Sequence, residues 1–200
     1  MEYRKIAFFV EGFTEQQFIK KLLAEIFGEK SIGIEVKEVK GGKKVAISYT
    51  TIETPEVTDD TKFYVLIYNC NGDGKIKSYI LDHRENLIKA GYEKVIGLRD
   101  LFPDFTRAEI HDLTTGLNYK LPQKDLPIKF VLSIMEIESW FLAEENHFIN
   151  IDSDLTLEHI NEKFGFDLKS HDTELIDEAA ETLKQIYSSV GKTYKKETEY

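Results

Sequence analysis

The feature that most constrains the fold of this chain is an apolar segment that ends at an acidic residue and a glycine. Residues 6–10, Ile-Ala-Phe-Phe-Val, form a continuous apolar run and therefore predict a buried strand. Glu11 and Gly12 follow this run, and Thr14 with Gln17 three residues later has the spacing of a capped helix start. The segment predicts a strand that passes directly into a helix, with Glu11 at the junction.

The predicted helix places Glu11 where a functional side chain is expected. Apolar side chains recur at helical spacing as far as Phe27, and Gly28 is placed to end the helix. Glu11 lies near the start of the helix, where backbone N–H groups lack intrahelical partners. It also follows the carboxyl end of a strand, which is where open α/β sheets bind their ligands. Glu11 is therefore the first candidate for a functional residue.

The remaining pattern predicts an α/β protein with a mostly parallel sheet and helices on both faces. Further strands are predicted over residues 34–39, 45–52, 63–68, 95–98 and 130–135, and helices over residues 76–90, 106–113, 139–148, 155–164 and 173–190. Gly41 and Gly42 indicate a β-hairpin insertion between the second and third strands. We expect an α/β domain over residues 1–150 and a helical C-terminal appendage over residues 151–200.

Composition and charge exclude several classes of protein. Cys70 is the only cysteine, so neither a disulfide framework nor a cysteine zinc cluster can form. The net charge of −10 argues against a protein that coats nucleic acid, because such binding comes from neutralising phosphates. An enzyme on nucleic acid with a local basic patch or a bound metal stays compatible with this charge. We expect a cytoplasmic protein without a signal peptide or a membrane segment, since no apolar run approaches the roughly 20 residues that span a bilayer.

Acidic side chains follow three of the predicted core strands. Glu11 follows the first, Asp100 follows residues 95–98 with Asp104 nearby, and Glu136 follows residues 130–135. Because parallel strands end at the same sheet edge, we expect the three strand-end carboxylates to lie together. Clustered carboxylates need a compensating cation, and oxygen ligands indicate Mg²⁺ or Mn²⁺. Chance placement among 36 acidic residues, together with the preference of acids for helix starts, explains the pattern equally well.

Three segments, in this order, resemble TOPRIM domains, which occur in topoisomerases, bacterial primases and overcoming-lysogenisation-defect nucleases. Residues 10–15, Val-Glu-Gly-Phe-Thr-Glu, resemble the opening motif of the family. Residues 98–104, Leu-Arg-Asp-Leu-Phe-Pro-Asp, resemble the second motif, which normally reads Asp-x-Asp. Residues 134–143 are similar to a segment of small TOPRIM-like proteins from bacterial anti-phage systems. Phe102 stands where the second aspartate is expected, and Asp104 lies two positions later.

The resemblance implies a Mg²⁺-dependent reaction at phosphodiester bonds. It implies that Glu11 is a general acid/base or a metal ligand, and that Asp100 is the principal metal ligand, supported by Asp104 and Glu136. A chain of 200 residues cannot hold the partner domains that topoisomerases and primases need. We therefore expect a nuclease or nuclease-like effector acting on DNA or RNA, with a role in anti-phage defence.

Two other functions stay open at this stage. Phe102 favours a TOPRIM-fold binding or regulatory subunit that has lost catalysis and serves a partner ATPase or a toxin, or that forms a homo-oligomer. A receiver-like phosphoacceptor domain also uses clustered carboxylates. Against that function, the first predicted strand ends in one glutamate rather than an acidic pair, and no lysine closes a later predicted core strand.

Overall fold

The computed structural model describes residues 3–42 and 45–195, with side chains for all of these except residues 42, 45 and 73. The strands in this part of the chain are β1 (Arg4–Val10), β2 (Ile32–Gly42), β3 (Val45–Glu53), β4 (Phe63–Asn69), β5 (Lys94–Asp100) and β6 (Ile128–Ser133). The helices are α1 (Phe13–Phe27), α2 (Ile76–Lys89), α3 (Ile110–Asn118), α4 (Glu138–Ala143), α5 (Glu145–Ile151), α6 (Leu157–Phe164) and α7 (Ala179–Ser188). The predicted order of elements from β1 to β6 is confirmed.

The strands form one sheet in the order β3-β2-β4-β1-β5-β6. β1 pairs in parallel with β4 on one side and with β5 on the other, and β2 pairs in parallel with β4. β2 and β3 pair antiparallel, as the hairpin prediction requires. The α/β fold with a mostly parallel sheet is therefore confirmed, and it is consistent with a TOPRIM-like fold.

Both faces of the central strands are buried, which explains why these strands appear in the sequence as continuous apolar runs. Ala7 and Phe9 of β1 belong to a core cluster with Ile76 and Ile80 of α2. Because side chains alternate along a strand, the buried Phe8 lies on the opposite face of the sheet. The β1–α1–β2 and β4–α2–β5 crossovers run in opposite directions along the sheet, and right-handed crossovers then place α1 and α2 on opposite faces.

The start of α1 differs from the sequence prediction in one detail. The helix begins at Phe13, with Gly12 as the N-cap residue, so the predicted Thr14–Gln17 capping pair is wrong. Glu15 occupies the third helical position instead, and its Oε2 accepts a hydrogen bond of 2.8 Å from the Gly12 backbone N–H. The predicted end is confirmed: the helix stops at Phe27, and Gly28 has a φ of +81°.

The segment after β5 also differs from its predicted boundaries. A short 3₁₀ turn over Arg107–Glu109 precedes α3, and Glu109 Oε2 accepts a hydrogen bond of 2.9 Å from the backbone N–H of Thr106. The helix then continues to Asn118, beyond the predicted end at residue 113, because Leu117 is also buried. Leu113 and Leu117 are four residues apart and therefore share one helical face. The sequence prediction ended the helix at residue 113 and so left Leu117 out.

The later helices are shorter than the sequence predicts. The predicted helix over residues 139–148 is two helices, because Glu144 has an extended backbone and its side chain accepts a hydrogen bond from the Asn146 N–H. The predicted helix over residues 173–190 begins only at Ala179, after a 3₁₀ turn over Thr173–Leu175. The strand predicted over residues 130–135 ends at Ser133, two residues before Met135, whose φ is +64°.

Residue contacts divide the described chain into two units, and each is considered by itself. The first comprises residues 3–99 and 114–131, and the second comprises residues 100–113 and 132–195. The expected boundary between domains at residue 150 stays a prediction. The second unit has its own core, which includes the buried side chains of Leu142, Phe148, Ile160, Leu183 and Ile186. No helix in the described part of the chain is long and apolar enough to span a membrane.

His147 of α5 is expected to make stability depend on pH. Its ring contacts that of Phe148, its Nδ1 lies 2.7 Å from the Glu144 carbonyl oxygen, and its Nε2 is buried without a hydrogen-bond partner among the described residues. Burial lowers the pKa of His147 below its ordinary value of 6.5, because desolvation disfavours the charged ring. The unfolded chain therefore binds more protons as the pH falls through about 6.5, and the folded state loses stability.

We expect the melting temperature to fall between pH 7 and pH 5, and His147→Gln to make this fall shallower. The matched control is His111→Gln, because His111 is an exposed histidine of α3. Thermal unfolding followed by circular dichroism at several pH values measures the slopes. A slope for His147→Gln as steep as that of the control would contradict this account.

Candidate functional site at the carboxyl edge of the sheet

The strand order brings the carboxyl ends of β1 and β5 side by side. These strands are parallel neighbours, with Phe9 of β1 opposite Gly97 of β5. Glu11 follows the last residue of β1, and Asp100 is the last residue of β5. From β1 the chain crosses to β2, whereas from β5 it continues to β6 on the other side. Open α/β sheets bind ligands where the connections from two neighbouring strands lead to opposite sides, the topological switch point.

Within the first unit, Glu11 lies in a polar network that joins the segments following β1 and β4. Its side chain is half-buried, and its backbone carbonyl accepts a hydrogen bond of 3.0 Å from the Gly72 N–H. Nearby, Gln16 Oε1 accepts a hydrogen bond of 3.2 Å from Asn69 Nδ2, and both residues are buried. Asn69 Oδ1 also accepts a hydrogen bond from the Asn71 N–H at 3.1 Å. These bonds fix the backbone that carries Glu11.

Gln16 and Asn69 are site-adjacent residues that the sequence prediction did not include. Asn69 ends an otherwise apolar strand, and a polar residue at that position was the available signal. Gln16 had no comparable signal, because its role depends on a partner 53 positions away.

Gly12 matters for this site through its contact with Glu15. Its φ of −153° is ordinary extended backbone, but an added Cβ would lie 3.3 Å from Glu15 Oε2. We expect Gly12→Val to displace the buried Glu15 carboxylate and to destabilise the protein by about 1–2 kcal/mol, the scale of a lost helix cap. Urea unfolding measures this cost. A free energy of unfolding equal to that of the wild type would contradict this prediction, because the Glu15 carboxylate would then move at no cost in stability.

The second unit contains the other three predicted site residues. Asp100 is buried, with 4% of its surface exposed, whereas Asp104 is exposed. The Leu101 N–H donates to the Ser133 carbonyl at 3.0 Å, and the Phe102 N–H donates to the Met135 carbonyl at 2.8 Å. These bonds join the segment after Asp100 to the segment that leads into Glu136.

The carboxylates after β6 already have structural partners. Glu136 Oε2 accepts a hydrogen bond of 3.0 Å from the Ala180 N–H in the first turn of α7, a position that favours an anion. Glu138 is fully buried, and its Oε1 accepts a hydrogen bond of 2.7 Å from the Tyr194 hydroxyl. The sequence prediction did not include Glu138 among the site residues, although it lies only two positions after Glu136.

Two serine hydroxyls close in sequence to these carboxylates have no hydrogen-bond partner within the described part of the chain. Ser133 ends β6, Ser139 lies in α4, and both are fully buried. A buried polar atom without a partner is costly, and one explanation is a water molecule or ion that completes its bonding. Hydroxyl and carboxylate oxygens are the donors that Mg²⁺ and Mn²⁺ prefer.

The donor set fits a Mg²⁺ ion only if the substrate contributes ligands. Among the described residues, no group of three or more His, Cys, Asp or Glu side chains is placed to hold a metal ion. Mg²⁺ is commonly held by one or two carboxylates, several waters and substrate phosphate oxygens. A metal at this edge would therefore bind weakly to the protein alone and more tightly with a phosphate-containing substrate.

Cys70 lies next to this edge but is unsuited to act as a nucleophile. Its N–H donates to the Val10 carbonyl at 2.9 Å, and the side chain is buried. Burial raises the pKa of the Cys70 thiol to about 12, so the thiol stays protonated near neutral pH. Nucleophilic catalysis by a thiolate is therefore not a function of this site.

This chain matches no protein family model, no curated protein and no solved structure.

Proposed function

We propose that this chain is a Mg²⁺-dependent nuclease, or a nuclease-like effector, that acts on phosphodiester bonds of nucleic acid. The observation that carries the proposal is the strand order. β1 and β5 are parallel neighbours at the topological switch point of the sheet, and the first acidic residues of the first two TOPRIM-like motifs, Glu11 and Asp100, stand at their carboxyl ends. A sheet in which β1 and β5 were separated would not support this function.

In this proposal the acidic residues have different roles. Asp100 is the principal metal ligand, and Glu11 is either a second ligand or the general base that accepts a proton from the attacking water. When bound, Mg²⁺ supplies Lewis-acid activation of the phosphate and of water. The resemblance also implies Asp104 and Glu136 as supporting ligands, but no three acidic side chains among the described residues are placed to hold one ion, and Glu136 binds the first turn of α7. By the resemblance of residues 134–143, we also propose cytoplasmic action in anti-phage defence.

The experiment that tests the function is a cleavage assay on a substrate panel. Purified chain is incubated with end-labelled single- and double-stranded DNA and RNA, with Mg²⁺, Mn²⁺ or a chelator. We expect cleavage of at least one substrate that depends on the added metal. Absence of cleavage on every substrate with either metal would contradict nuclease activity of the isolated chain.

A second candidate function is a catalytically inactive binding or regulatory subunit for a partner ATPase or toxin. Phe102 favours it, because an aromatic side chain that is 43% exposed stands where the motif expects a second aspartate. The bond from Glu136 to the Ala180 N–H favours it too, since that carboxylate already has a structural role. A wild-type chain that neither cleaves nucleic acid nor responds to Mn²⁺ would support this function.

A further inference from the structure

β3 is an edge strand whose surface differs from the rest of this chain. It lies at the end of the sheet, and among the described residues it pairs only with β2. Residues 46–52 are all exposed, although the Tyr49 ring contacts the ring of His83 in α2. Ile47, Tyr49 and Ile52 are 49%, 43% and 42% exposed, and no residue in this run is charged or proline.

An exposed, uncharged edge strand is unusual in a monomer. Natural edge strands are commonly protected by lysines, prolines, shortness or a covering loop, because their outer backbone groups can pair with another strand. β3 does have irregular register with β2 near Val36 and near Gly42, but Ser48–Thr51 pairs regularly with Lys37–Lys40. In this regular stretch the backbone N–H and C=O groups that point away from β2 could form hydrogen bonds with a second strand.

We propose that β3 pairs antiparallel with β3 of a second copy of this chain, forming a symmetric homodimer with one continuous sheet. The two-fold axis passes near Tyr49 and Thr50, at the middle of the regular stretch. Such strand addition draws its affinity from main-chain hydrogen bonds and from the apolar side chains on either face. The proposal is independent of nuclease activity.

Charge is the reason for choosing a second copy as the occupant. Each copy carries a net charge of −10, so most surfaces of two copies repel, but the neutral run of β3 brings no like charges together. A strongly basic partner would gain nothing from this run.

The test uses paired charge substitutions near the proposed axis. Thr50 is exposed, so Thr50→Lys and Thr50→Glu each place two like charges across the dimer contact. Molar mass is measured by light scattering over a range of concentrations, and circular dichroism confirms folding. We expect the wild type to be dimeric, each variant to dissociate at least 10-fold more readily, and an equal mixture of the two variants to form a heterodimer. The control is Thr115→Lys, at an exposed threonine of α3.

Two results would overturn the proposal. A wild-type chain that stays monomeric at every concentration would show that β3 does not pair with a second copy. A dimer that persists in both Thr50 variants as it does in Thr115→Lys would place the interface elsewhere. Hydrogen exchange adds a direct readout, because the outward amides of Ser48–Thr51 should become protected as the concentration rises.

Discussion

Replacing Glu11 by glutamine is expected to lower metal-dependent cleavage by roughly 10²–10⁴-fold, the usual cost of losing a general acid/base. Glutamine keeps the size of the side chain but can neither accept the proton nor supply a charged ligand. The Gly72 N–H binds the backbone carbonyl of Glu11, which the substitution leaves unchanged, and circular dichroism checks that the variant folds. Asp100→Asn is expected to lose a similar factor, since it removes the charge from the principal metal ligand.

Matched controls separate this effect from a general change in charge. Glu25→Gln lies on the exposed side of α1, and Asp59→Asn lies in the exposed segment before β4. Both should cleave at the wild-type rate. The double variant Glu11→Gln/Asp100→Asn should lose much less than the product of the single losses, because residues that act together are not additive. If Glu11→Gln cleaved nucleic acid at the wild-type rate, the proposed catalytic role of Glu11 would be contradicted.

Gly97→Ala is expected to have the largest effect on stability, with a cost of about 1–3 kcal/mol from overpacking. Gly97 lies in β5, where an added Cβ would be 2.6 Å and 2.7 Å from two ring atoms of Phe130. The same Cβ would lie 3.2 Å from Ile76 Cγ2, so the ring cannot move freely toward that side. Urea unfolding of the purified variant measures the cost as a fall in the midpoint.

A second substitution identifies the Phe130 ring as the cause. In a Phe130→Leu background the smaller side chain leaves room, so adding Gly97→Ala should cost clearly less than it does alone. Gly116→Ala is the control for the glycine change itself, because nothing lies within 4 Å of a Cβ there. Gly116 is in α3, where alanine should be neutral or stabilising by up to about 1 kcal/mol. Equal costs with and without the Phe130 ring would contradict the steric account.

Local pattern was sufficient to predict most of the first unit. The runs that became β1 and β4 are buried on both faces, so their hydrophobicity alone identified them as central strands. The hairpin of β2 and β3 followed from alternating side chains and paired glycines. Gly28 ended α1 as predicted, because a positive φ suits glycine at that position.

Tertiary contacts decided the features that the sequence pattern did not predict. The carboxylate of Glu136 binds the Ala180 N–H, 44 positions later, and no local spacing indicates such a bond. The break between α4 and α5 at Glu144 interrupts a segment whose apolar spacing suits one helix. The network of Gln16 and Asn69 likewise depends on the neighbouring positions of β1 and β4 in the sheet.

The measurement that tests the central claim most directly is the effect of Mn²⁺ on the stability of wild type, Glu11→Gln and Asp100→Asn. Each protein is melted over a Mn²⁺ series, with and without a phosphorothioate oligonucleotide that resists cleavage. Wild type should be stabilised, by about 2.7 kcal/mol at a hundredfold excess over the dissociation constant, and more readily when the oligonucleotide supplies ligands. Both substitutions should abolish this response. A wild type that does not respond, or variants that respond equally, would contradict the proposed roles of Glu11 and Asp100 in metal binding.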